Sequence, residues 1–146
     1  MIKNYKLEDF TNKTYLKKSD KKLDYGEVIT PYSFIELIIS SIPIELFKDK
    51  TLKWLDPGAG QGNFSIIVYY KLLEGLKDII PNIEERSNHI ITKMLFMVEI
   101  QEDNCSILEE IFGENANIYC KDYLNFEADK FDIIIGNPPF NSKGQI

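Results

Sequence analysis

A proline-rich tetrapeptide near the end of the chain carries the most specific chemistry in the sequence. Asn137-Pro138-Pro139-Phe140 directly follows the apolar run 131–136, which predicts a buried strand. A loop stiffened by prolines can accept both hydrogens of an aromatic amine through amide and backbone oxygens, while its aromatic side chain stacks on the ring. Prolines also mark ordinary loops, but the preceding strand and the following aromatic residue favour a functional role.

A glycine-rich turn lies far upstream of the tetrapeptide. Residues 56–64, Asp-Pro-Gly-Ala-Gly-Gln-Gly-Asn-Phe, follow a predicted strand, and glycines let backbone N–H groups approach a ligand closely. The dinucleotide fingerprint GxGxxG does not fit, because Gly62 falls one place early and Asn63 takes the final glycine position. The phosphate-binding lysine of a P-loop is also absent from this turn. The turn indicates a nucleoside site, with a plain strand-to-helix connection as the alternative.

Two acids follow the next two predicted strands. Glu99 ends the second strand and Asp122 follows the third. At these places Glu99 can accept hydrogen bonds from the ribose hydroxyls of a nucleoside, and Asp122 can accept one from the exocyclic amine of adenine. Either acid alone is commonly an ordinary loop residue, but together they describe an adenosine site. A cationic sulfonium ligand would suit such an acidic edge better than a dinucleotide.

The elements that position these residues alternate between strand and helix. Thr30-Pro31 is a typical N-cap and first-turn pair, and Gly113 is a candidate C-cap. We predict a Rossmann-like, doubly wound parallel α/β sheet whose strands bring every candidate motif to one edge. The predicted strands are 52–56, 94–100, 117–120 and 131–136, and the predicted helices are 31–41, 64–75 and 102–112.

Composition places the chain among globular proteins. The 146 residues, 44% of them hydrophobic, predict one domain, without a membrane span or a secretory signal, and therefore an intracellular protein. Cys105 and Cys120 lack a CxxC pattern or nearby histidine, so we predict free thiols and no metal site. The net charge of −6 disfavours a surface devoted to nucleic acid, although residues 1–22 hold seven lysines. That segment is either a basic arm or a solvated terminus.

Taken together, the motifs resemble those of the S-adenosylmethionine-dependent N6-adenine DNA methyltransferases. Residues 26–32, Gly-Glu-Val-Ile-Thr-Pro-Tyr, resemble the N-terminal cofactor motif of that family, residues 56–64 its glycine motif and residues 137–140 its catalytic tetrapeptide. The resemblance implies a class I methyltransferase domain over 25–146, after a lysine-rich lead-in at 1–24. It also implies S-adenosyl-L-methionine as cofactor and an adenine flipped out of DNA as substrate.

The resemblance also implies a role for each motif residue. In the catalytic motif, the side-chain oxygen of Asn137 and the carbonyl of Pro138 would accept the amine hydrogens, beside Pro139, and Phe140 would stack on the base. Glu99 would hold the ribose of the cofactor and Asp122 its adenine amine. The remaining cofactor-binding residues by this resemblance are Thr30 and Tyr32 at the methionine end, Asp56, Pro57, Gly58, Ala59, Gly60, Asn63 and Phe64 in the glycine motif, and Tyr123 against the adenine face.

The family continues beyond the catalytic motif with further strands and a target-recognition region. We therefore expect this chain to be the N-terminal portion of such an enzyme, or a short form that binds cofactor without turnover. An open sheet edge would invite self-association or pairing with another chain. The alternatives to DNA methylation are methylation of RNA or of protein glutamine, and a non-catalytic cofactor-binding module.

Overall fold

Four parallel strands form the centre of the molecule. The structure, a computed structural model, describes residues 2, 32–127 and 130–136. The sheet has the order β3-β2-β1-β4, so the chain crosses from β1 outward to β3 and then returns to the other side of β1. The strands are β1 (Trp54–Asp56), β2 (Leu95–Glu99), β3 (Asn117–Cys120) and β4 (Ile133–Ile134).

The helices agree closely with the predicted ones. The predicted C-cap Gly113 is confirmed by its φ of 94°, and the polar stretch after residue 77 contains a helix that the sequence left undefined. A side-chain cap starts that helix, because Asn82 accepts a hydrogen bond from the Glu85 N–H. The helices are α1 (Tyr32–Ser40), α2 (Asn63–Gly75), α3 (Ile83–His89), which continues as a π-helical turn (Ile90–Met94), and α4 (Glu102–Phe112), with 3₁₀ turns at Ile44–Lys48 and Tyr123–Asn125.

The hydrophobic core lies between the helices and one face of the sheet. Trp54, Leu95 and Met97 point to that face and are fully buried in one cluster with residues of α1, α2 and α4. The opposite face carries Tyr119 and Ile134, which are 37% and 50% exposed. Leu55 and Val98 on the same face are fully buried, so this face is covered on the two central strands and partly exposed on the outer ones, as is usual for a parallel sheet. None of the helices in the described part of the chain is long and apolar enough to cross a membrane.

The cysteines correct one prediction. Cys105 of α4 and Cys120 of β3 form a disulfide, with Cα atoms 6.0 Å apart, so the prediction of free thiols is wrong. Glu99 is the register partner of Cys120, and α4 begins three residues after Glu99. The first turn of α4 therefore lies beside the end of β3, a proximity that a spacing of 15 residues does not reveal in the sequence.

We predict that reduction destabilises the protein measurably. A cross-link that closes a loop of this length stabilises by about 3 kcal/mol in the chain-entropy account. Urea unfolding with and without dithiothreitol should show a lower midpoint for the reduced protein. The double variant Cys105→Ser/Cys120→Ser is the control and should unfold identically in both buffers. Equal midpoints for the oxidised and reduced native chain would contradict the prediction.

Candidate functional site

The carboxylate of Glu99 is the most heavily bonded group at the carboxyl edge of the sheet. Its Oε1 accepts from the Gly60 N–H at 2.8 Å, and its Oε2 accepts from the Gln101 N–H at 3.0 Å and from Asn104 Nδ2 at 3.1 Å. The side chain is 4% exposed. Donors from the glycine turn, the loop after β2 and the first turn of α4 therefore fix one buried carboxylate.

The glycine turn is anchored to β2 and needs glycine at two places. Gly60 and Gly62 have φ of 57° and 99°, a region that other residues rarely adopt. A Cβ on Gly62 would also lie 3.2 Å from Leu108 Cδ2 of α4. The Ala59 N–H donates to the Val98 carbonyl at 2.9 Å. Gly62 thus allows the close helix approach, although its spacing does not fit the dinucleotide fingerprint.

Asp56 connects β1 with both the helix after the turn and the end of β4. Its carboxylate is 2% exposed, and Oδ2 accepts from the Ser65 hydroxyl at 2.7 Å. A Cβ on Gly136 would lie only 2.5 Å from Asp56 Oδ1 and 3.2 Å from Pro57 Cδ. Gly136, the residue just before the Asn-Pro-Pro-Phe tetrapeptide, therefore packs directly on the start of the glycine turn.

Asp122 directly follows Lys121, whose backbone bonds to the end of β2. The Lys121 N–H donates to the Glu99 carbonyl at 2.9 Å. Asp122 caps the 3₁₀ turn that begins at Tyr123, because its Oδ1 accepts from the Leu124 N–H at 3.0 Å. Both Asp122 and Tyr123 are half-buried. One capping bond leaves acceptor capacity on a carboxylate, which has about four lone-pair positions.

The other predicted cofactor residues differ in their surroundings. Pro57 and Ala59 are buried and Gly58 is half-buried, while Phe64 is 5% exposed and belongs to the hydrophobic core. Asn63 begins α2, and no donor among the described residues reaches its buried Oδ1. Tyr32 begins α1, and its side chain, with Thr30, Asn137, Pro138, Pro139 and Phe140, lies outside the described part of the structure.

Three residues of the site escaped the sequence analysis. Ser65 bonds to Asp56, and Gln101 and Asn104 bond to Glu99. Ser65 and Asn104 are completely buried. Ser65 is a polar residue between the apolar Phe64 and Ile66, and that is the signal that could have found it, because buried polar side chains are nearly always hydrogen-bonded. Asn104 follows two exposed acids in a polar turn, so no local pattern marks it.

The comparisons with known proteins agree with this geometry. The chain matches the N-6 DNA methylase family over residues 5–145 and belongs to that family. Members of this family generally use S-adenosylmethionine. The predicted class of protein and the class I methyltransferase type of fold are confirmed.

Individual relatives are much longer than this chain. An "uncharacterized adenine-specific methylase" of Mycoplasma pneumoniae is 35% identical over 75 residues, which cover 49% of this chain and 18% of that protein. A modification subunit of a putative type I restriction enzyme from Vibrio vulnificus superposes with a TM-score of 0.55 and 19% identity, over 93% of this chain and 30% of that one. The chain therefore spans less than a third of these relatives.

We predict that Gly136→Ala is destabilising because of Asp56. The new methyl group would collide with the Asp56 carboxylate, and overpacking of this kind costs about 1–3 kcal/mol. The double variant Asp56→Ala/Gly136→Ala should lose less free energy of unfolding than the two single changes together. Gly113→Ala is the control, because nothing lies within 4 Å of the new Cβ. Its loss of unfolding free energy should simply add to that of Asp56→Ala. Additive losses for the Gly136 pair would contradict the assigned contact.

Proposed function

We propose that this chain supplies the cofactor-binding and catalytic-motif portion of an enzyme that transfers a methyl group from S-adenosyl-L-methionine to the N6 amine of adenine in DNA. The observation that carries the proposal is the packing of Gly136 on Asp56. A Cβ placed on Gly136 would lie only 2.5 Å from Asp56 Oδ1. Gly136 and the start of the glycine turn meet where the strand order of the sheet reverses, which supports a functional role for the tetrapeptide that follows in the sequence. Ligands of open α/β sheets bind at such reversals.

The residues present fit this cofactor chemically. Glu99 offers a fixed carboxylate to ribose hydroxyls, and Asp122 offers an acceptor to an adenine amine. Asp56 and Glu99 together create a negative environment that favours a sulfonium and an ammonium group over a pyrophosphate. Asn63 Oδ1 is an additional buried acceptor at the start of α2. Gly58, which is half-buried, offers a ligand backbone atoms without a Cβ in the way.

The chemistry follows from placing a weak nucleophile against an activated methyl group. S-adenosylmethionine supplies an electrophilic methyl group on a sulfonium. Asn137 and Pro138 would accept the two hydrogens of the adenine amine, which localises the nitrogen lone pair toward that methyl group. Phe140 would hold the flipped base by stacking. Positioning and electrostatic stabilisation of this kind account for much of the rate in comparable reactions.

The first test is cofactor binding. We expect the 146-residue chain to bind S-adenosylmethionine in calorimetry. Glu99→Ala should weaken binding about 10- to 100-fold, because hydrogen bonds to a charged group contribute about 1.5–3 kcal/mol. Glu127→Ala, an exposed acid on the loop before β4, is the matched control and should bind normally. Absence of binding at millimolar cofactor would remove the proposal.

The second test separates catalysis from cofactor binding. In a version long enough to methylate, Asn137→Ala should abolish methyl transfer to an adenine-containing duplex, because one of the two acceptors of the amine hydrogens is lost. Cofactor affinity should change by only about two- to three-fold, since in the proposed role the residue would contact the base and not the cofactor. Radiolabelled transfer to duplex DNA, ribosomal RNA and release-factor protein identifies the acceptor. An active Asn137→Ala enzyme would refute the catalytic role.

A further inference from the structure

Asn104 is completely buried, although it is a polar residue near the exposed end of a helix. It is the third residue of α4, and its Nδ2 donates to Glu99 Oε2 at 3.1 Å. The neighbouring acids Glu102 and Asp103 are exposed. Only the side chain at 104 in this first turn therefore reaches inward to the carboxylate, and no motif of the sequence assigned it a function.

The two oxygens of Glu99 are bonded unequally. Oε2 accepts two donors, from Gln101 and Asn104, whereas Oε1 accepts one, from Gly60. Since each carboxylate oxygen has about two lone-pair positions, the remaining acceptor capacity lies on Oε1. That oxygen is the one beside the glycine turn. The backbone donors Gly60 and Gln101 each hold one oxygen, and among the described residues Asn104 is the side chain that adds a further bond to fix the carboxylate.

We propose that Asn104 is a positioning residue for the cofactor ribose: its amide holds Glu99 so that the open lone pair on Oε1 is presented to a ribose hydroxyl. This inference rests on the proposed function and deepens it. It also assigns to α4 a part in cofactor recognition that is separate from its packing against α2. Loss of the amide would leave Oε2 with the Gln101 N–H alone and would loosen the orientation of the carboxylate.

The test compares two ligands in calorimetry with the 146-residue chain. Asn104→Ala should weaken the binding of S-adenosylhomocysteine about five-fold, a loss equivalent to one hydrogen bond. The same change should weaken the binding of the 2′,3′-dideoxy analogue less than about two-fold, because that ligand has no ribose hydroxyl to donate a hydrogen bond to Glu99. Equal weakening of both ligands, or tighter binding by the variant, would overturn the inference.

A matched control separates positioning from general stability. Asn117 is another partly buried asparagine, and its Nδ2 donates to the carbonyls of Ile91, Thr92 and Leu95 at the opposite end of the sheet. Asn117→Ala should lower the unfolding midpoint yet leave the ratio of the two ligand affinities unchanged. A change in that ratio as large as for Asn104→Ala would show that any buried asparagine gives the effect, and would overturn the inference.

A nearly isosteric variant provides a readout that a packing role would not move. Asn104→Asp places a second carboxylate against Glu99 Oε2, so that repulsion raises the proton affinity of the pair. Binding of S-adenosylhomocysteine by this variant should be weakest near about pH 8 and should improve toward about pH 5, as one proton restores a donor. The native chain gives the reference profile. Parallel profiles for variant and native chain would overturn the inference.

Binding by the native chain distinguishes failure of the proposed cofactor site from failure of the positioning role of Asn104. If the native chain binds neither ligand, the proposed cofactor site fails and the role of Asn104 fails with it. If the native chain binds S-adenosylhomocysteine but Asn104→Ala binds both ligands as the native chain does, only the positioning role is lost. Circular dichroism of each variant confirms that a folded protein is compared in every case.

Discussion

The site depends on one buried carboxylate and its three donors. An ionised carboxylate without partners is expensive to bury, and each donor left without an acceptor carries its own cost. Glu99 resolves both problems at once, because it accepts from Gly60, Gln101 and Asn104, which belong to three different segments. The same bonds that make its burial tolerable also hold the glycine turn, the loop after β2 and the start of α4 at fixed positions. A preformed site requires this kind of mutual support.

The second constraint is the adjacency of β1 and β4. Trp54 and Leu55 pair with Ile133 and Ile134 in register, so both strands end at the same level of the sheet. Asp56 is the last residue of β1 and Gly136 follows β4 by two residues, and only a residue without a side chain allows the approach observed between them. The glycine turn and Gly136 are thereby brought to one edge of the sheet. The order of the strands, rather than any single contact, produces this convergence.

Sequence reasoning succeeded where a local pattern reflects the fold. Glu99 ends β2 as predicted, and the third strand was predicted at its observed bounds, because apolar runs that stop at polar residues mark strand ends. The disulfide and the donors Ser65 and Asn104 were missed, because each depends on where a helix crosses the sheet rather than on its own neighbours in the chain. The predicted roles at 137–140 and Thr30 lie outside the described residues, and they remain predictions drawn from the family resemblance.

Acidic and basic residues are unevenly distributed along the chain. Residues 23–146 contain ten lysines and arginines against twenty aspartates and glutamates, a balance that repels a phosphate backbone and favours cationic ligands. Phosphate contacts need clustered basic side chains, which this chain concentrates in its first 22 residues. The relatives extend well beyond the matched region. Under the proposed function, an acidic cofactor-binding body needs clustered basic surface to hold the duplex, so affinity for the cofactor and affinity for DNA should depend on different residues.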